Sequence, residues 1–185
     1  MTAAELLARA LNDPDALPCP IHESADVPTE RVVFSPDVRA ACERNLCGRY
    51  GTCWVCPPGV GALEELRERY RRYAHAFVYT TKHQLEDSFD LEGMGEGKRR
   101  HEALDRFLFR ELTGAGADFR LAGTGGCSLC PSCTYPDAPC RHPDLALPMP
   151  SLEALGVDVV ALSRACGIRY NNGPDTVTYF SAVFS

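Results

Sequence analysis

Apolar positions recur at helical spacing in several parts of the chain. Leu6, Leu7, Ala10 and Leu11 follow a Thr2-x-x-Glu5 capping box and predict a short amphipathic helix. Leu63, Leu66, Tyr70 and Tyr73 predict a helix over about 61–73, and Leu104, Phe107, Leu108 and Leu112 predict one over about 98–113. Leu152, Leu155, Val159 and Leu162 predict a helix that is capped by Ser151 and ends near Cys166-Gly167. Ser35-Pro36 reads as the start of another, with Val38, Ala41 and Cys42 on one face. Strands are expected at 31–34, 76–81, about 118–121 and 176–184, the last apolar on both faces and so interior to its sheet. The strand–helix–strand order over 76–121 predicts a crossover unit with two parallel strands. The expectation is one α/β domain over 1–185, with a small mixed sheet, flanking helices and two cysteine-rich metal loops. Residues 1–28 read as an amino-terminal helix and linker.

Between these segments lies a stretch that packing does not explain. Residues 123–150 carry six prolines from Pro131 to Pro150, with Gly123, Gly125 and Gly126 just before Cys127. Such a long irregular segment inside a compact domain needs something else to hold it. Cys127, Cys130 and Cys133 stand at three-residue steps, with Cys140 seven further on, a run that resembles a cubane iron–sulfur loop. Zinc knuckles more often use two cysteine pairs separated by about a dozen residues or more. Zinc stays the alternative metal for this site.

A second group, Cys42, Cys47, Cys53 and Cys56, lies within 31–58. On one continuous helix Cys42 and Cys47 would point about 140° apart, so Cys42 is expected in the last helical turn and Cys47 in the loop beyond. Cys56-Pro57 repeats the Cys-Pro ending of a cluster loop. A blander account makes Cys42 a core residue and Cys53/Cys56 a redox Cys-x-x-Cys pair. Cys166 is either a buried hydrophobe or a ligand that replaces Cys53. His142 adjoins Cys140, and the other histidines lack ligand-like spacing.

Charge and the amino terminus narrow the setting. The net charge of −6 argues against nucleic-acid binding, and the basic runs Arg67–Arg72 and Lys98–Arg100 lie beside glutamates on helices. No apolar stretch approaches the roughly 20 residues of a membrane span. The first residues lack the basic region and cleavage site of a secretory signal, so a reducing cytoplasm is expected, where clustered thiols serve metals or redox chemistry.

Taken together, several blocks resemble the family of predicted metal-binding proteins found largely in anaerobic bacteria and archaea. They are Cys42-x4-Cys47-x2-Tyr50-Gly51, Trp54-x-Cys56-Pro57-Pro58, Cys127-x2-Cys130-x2-Cys133-Thr-Tyr-Pro-x3-Cys140-Arg141-x-Pro143 and Pro150-Ser151-x-Glu153-Ala154-x-Gly156, with Cys166, Gly173 and the Thr176 strand. The resemblance runs from about residue 31 to the end. It implies Cys42, Cys47, Cys56 and Cys166 as ligands of the first centre, with Cys53 particular to this chain and an alternative ligand. The family implies metal binding and supplies no reaction.

The function expected from these residues is an iron–sulfur protein with two [4Fe-4S] clusters that transfers electrons to a redox partner protein in an anaerobe. Arg44, Arg49, Arg141 and Arg169, next to candidate ligands, would favour the more negative reduced state. One alternative is an enzyme with an open cluster position at Cys42, Cys47 and Cys56, lined by Tyr50, Tyr170 and Asn171-Asn172-Gly173. Another is a zinc-stabilised interaction module. Oligomeric state is not legible from the chain.

Overall fold

The computed structural model describes residues 2–185. Its helices are α1 (Ala3–Asn12), α2 (Pro36–Glu43), α3 (Leu63–Arg71), α4 (Leu91–Gly114), α5 (Pro143–Ala146) and α6 (Val159–Cys166). Its strands are β1 (Glu23–Pro28), β2 (His75–Gln84), β3 (Arg120–Ala122) and β4 (Thr176–Phe184), in the spatial order β1-β2-β4-β3. All three ladders are antiparallel. β2 and β3 therefore run in the same direction, as the crossover predicts, but β4 lies between them and pairs with both.

Both faces of the sheet are covered, which explains why β4 is apolar on both. Phe180, Ala182 and Phe184 face a core completed by Leu66 and Tyr70 of α3 and Leu162 of α6. Val183 faces the opposite core, with Leu104, Leu108 and Leu112 of α4 and Leu6 and Leu7 of α1. The two-residue period of a strand produces this division, and β2 repeats it, with Val78 in the first core and Tyr79 in the second.

Four expectations are corrected. Residues 23–28, read as linker, form edge strand β1, paired only with β2. The strand expected at 31–34 is instead a 3-10 turn, Thr29–Arg31, followed by a single bridge between Phe34 and Val157. α4 begins seven residues before 98, capped by Asp90, whose carboxylate accepts from Gly93 N at 2.8 Å. Its Gly97 is a packing residue, since a Cβ there would sit 2.8 Å from the His83 ring.

The fourth is the helix expected from Ser151, which starts only at Val159 because Gly156 (φ +75°) turns the chain back. A Cβ on Gly156 would lie 3.0 Å from the Ser35 carbonyl and 2.8 Å from Leu63. Gly156→Ala is expected to cost about 2–3 kcal/mol, combining left-handed strain with a backbone clash. Gly48→Ala, at φ +70° with open space around it, is expected to cost about 1 kcal/mol. Comparing the denaturation midpoints of the two variants tests this, and equal losses would remove the packing argument.

Candidate metal centres

The first group of thiols is set by α2 and the turns after it. Ser35 caps α2, its hydroxyl accepting from Asp37 N at 3.1 Å, and Cys42 lies in the last turn. Asn45 and Gly48 then turn the chain through positive φ, and the Asn45 side chain accepts from Tyr50 N at 2.9 Å. Cys47 is on this loop and exposed. Cys42, Cys47 and Cys56 line a cavity of about 400 Å³, together with Arg49, Tyr50, Ser151 and Glu153.

The second group surrounds a smaller cavity of about 170 Å³, lined by Cys127, Cys130, Cys133 and Cys140 and also by Cys53, Arg49, Arg141 and His142. The two cavities adjoin. Cys53 and Cys56 are three residues apart, yet each faces a different one, and Arg49 lines both. The close approach depends on Gly126, where a Cβ would stand 3.2 Å from Arg49 and 3.4 Å from Cys56 Sγ.

Side chains hold the 123–142 loop in place. Lys98 of α4 donates to the Gly126 carbonyl at 2.8 Å and pairs with Glu102, which accepts from the Ser128 hydroxyl. The Trp54 indole N–H donates to the Ala138 carbonyl at 3.3 Å and packs edge-on to Tyr135, with ring centroids 4.9 Å apart. Arg141 donates to the Ser132 carbonyl at 3.0 Å.

All ten cysteines are free. A hydrogen bond from the Cys56 thiol brings Cys53 down to about 6 against the opposing effect of burial, with further help from the Cys127, Val55 and Cys56 N–H groups. Cys56 is pushed up by that same bond, by burial and by the nearby Cys53, Cys47 and Cys42. Burial raises Cys42, reinforced by Glu153 and Cys47. Burial also raises Cys127, although the Leu129 N–H donates to its sulfur at 3.5 Å. Metal binding here would displace protons from the raised thiols.

Cys166 stands apart from both groups. It ends α6 and packs against the main core, where burial pushes it up to about 11. Cys19 lies in the opposite core beside α1 and α4. Tyr170 stacks on Phe180, with ring centroids 5.9 Å apart, and Asn172 donates to Arg169 and Thr178; neither residue lines the two cavities. Arg44 and Arg169 do not line them either. Glu153 has no cysteine-like spacing, so its place beside Cys42 was not legible beforehand.

Among the described residues, no group of three or more His, Cys, Asp or Glu side chains is set to hold a single metal ion. The thiols ring two volumes instead of converging on a point. No helix among the described residues is long and apolar enough to cross a membrane. No curated protein and no solved structure matches the chain. A family model described as Predicted metal-binding protein (DUF2284) matches residues 25–185, the part that contains both cysteine cavities, and the chain belongs to that family of predicted metal-binding proteins.

Proposed function

We propose that the chain is a cytoplasmic iron–sulfur protein of anaerobic metabolism that holds two [4Fe-4S] clusters and exchanges single electrons with a redox partner protein. The observation that carries this reading is the common wall of the two thiol-lined cavities at Cys53, Cys56 and Arg49. Cys127, Cys130, Cys133 and Cys140 would hold one cluster, and Cys42, Cys47 and Cys56 would hold the other. Bound clusters supply one-electron chemistry at a potential set by charge, burial and hydrogen bonds to sulfur.

The donor set fits such clusters. Thiols spread around a volume suit a group ligated at separate corners, and the Leu129 N–H already points at Cys127 Sγ. Arg49 and Arg141 place positive charge on the cavity walls, where it favours the reduced state. Val55 and Leu129 give the second cavity a partly apolar wall. The excess of acidic side chains gives no electrostatic basis for a nucleic-acid partner.

A second reading, an enzyme acting at the first cavity, is favoured by that cavity's size and by its having only three thiols, so that a small molecule would fit beside Tyr50. Anaerobic purification with iron, sulfide and zinc analysis tests the shared premise. A brown protein with about eight irons is expected. A colourless protein containing only zinc would replace both readings with a structural role.

A further inference from the structure

We infer, resting on the reading of the first cavity as a metal centre, that Glu153 supplies its fourth donor, a carboxylate oxygen, and that Cys166 is a core residue. Cys42, Cys47 and Cys56 face this cavity, whereas Cys53 faces the other and Cys166 packs with the main core. No fourth thiol lines the first cavity. Glu153 lines the same cavity as the three cysteines.

Its position is built into the fold. Glu153 lies on the turn that Gly156 closes, where Gly156 N donates to the Glu153 carbonyl at 2.9 Å and Ala154 N donates to the Ser151 hydroxyl at 3.1 Å. The Gly156 carbonyl accepts from Ser35 N at 2.7 Å, and Ser35 is the cap of the helix that carries Cys42. The Cys42 thiol in turn points at the Glu153 carbonyl oxygen at 3.9 Å. One short network therefore fixes the carboxylate-bearing turn against the first thiol.

The carboxyl also has no ion-pair partner among the described residues, although Arg49 lines the same cavity. The Glu153 backbone N–H and the Ser151 hydroxyl serve it. The carboxyl is half-buried, and negative charge gathered from it and three thiolates is favoured when a cation joins them. An iron site accepts oxygen as well as sulfur donors, and a carboxylate is a more readily exchanged ligand than a fourth thiolate.

The test uses the full chain purified anaerobically, with iron counts and low-temperature spin resonance of the reduced protein. Glu153→Cys is expected to keep about eight irons and to change one of the two cluster signals. Glu153→Ala should alter that same signal, and Cys166→Ser should leave iron and both signals unchanged. The unaltered second signal in each variant reports that the fold is intact. The assignment is overturned if both Glu153 variants match the wild type, or if Cys166→Ser changes the first signal. Wild type with about four irons and one signal would instead overturn the two-centre reading, and this assignment with it.

Discussion

Replacing Cys130 and Cys133 together by serine is expected to remove about four of about eight irons and to leave the four-stranded sheet folded. The reason lies in where apolar burial is concentrated. The two main cores flank the sheet, and neither draws a residue from 124–142. Cys127, Cys133 and Cys140 pack instead against a separate small cluster of Cys53, Val55, Cys56 and Ala146. Within 124–142 the one backbone hydrogen bond among non-helical, non-strand groups runs from Ala138 N to the Thr134 carbonyl at 2.9 Å. The remaining restraints are side-chain bonds and, on the proposed reading, the metal, whose binding free energy then acts as local folding free energy. Limited proteolysis should therefore cut the variant inside 124–142 much faster than the wild type, while its far-ultraviolet circular dichroism stays the same. Retention of all iron would show that these two cysteines are not ligands. Global unfolding would show that the loop supports the sheet after all.

How much of this was legible beforehand depended on whether a local period set the answer. The capping box of α1, the apolar faces of α3 and α4, and strands β2 and β4 all follow from periodicity. β1 did not, because an edge strand pairs on one side only, and Asp26 and Pro28 make it read as a loop. Nor did the insertion of β4 between β2 and β3, since pairing order depends on contacts between distant segments. Gly97 fell just outside an expected helix and Gly156 inside one, and both are close-approach positions that become recognisable only when His83, Ser35 and Leu63 are in place. At the cysteines, spacing separated two groups but did not show which cavity each thiol lines. In a turn without a fixed period, Cys53 and Cys56 face different cavities. For Cys166, a helix end beside glycine is equally compatible with a ligand and with a core thiol, and the packing of the residue against the main core is visible only in the folded chain.

Asp105→Asn is expected to change the pH dependence of stability by up to about 4 kcal/mol at pH 8, less the cost of altered hydrogen bonds. Asp105 is fully enclosed on α4. It accepts from the Tyr79 hydroxyl of β2 at 2.6 Å and from the Ser181 hydroxyl of β4 at 3.1 Å, while Glu102, Arg106 and His101 are its charged or titratable neighbours on α4. Burial pushes its carboxyl up to about 7, against the lowering effect of the Tyr79 and Ser181 bonds. The network continues from Ser181 to His101 at 2.8 Å, from His101 to Thr81 at 2.8 Å and from Thr81 to His83 at 2.9 Å. With both histidines neutral and protonated on Nε2, every bond in this chain has one donor and one acceptor. Burial brings His101 down to about 3. Because Asp105 titrates later in the folded chain than in the unfolded one, its contribution favours folding less as pH rises from about 4 to 7, and the full cost persists above 7. His101 acts in the opposite sense, since the unfolded chain takes up a proton that the folded chain refuses, and stability falls as pH drops from 6.5 toward 3. Between about pH 4 and 6.5 the two slopes nearly cancel in the wild type. Asp105→Asn removes one of them, so the variant should gain stability relative to wild type as pH rises from 4 to 7 and hold that gain to pH 8. Taking the difference between the two chains in urea at each pH cancels the other carboxylates and any loss of metal in acid. Parallel curves would mean that Asp105 is already ionised in the folded protein at pH 5, and that its charge is stabilised by more than the two hydroxyls.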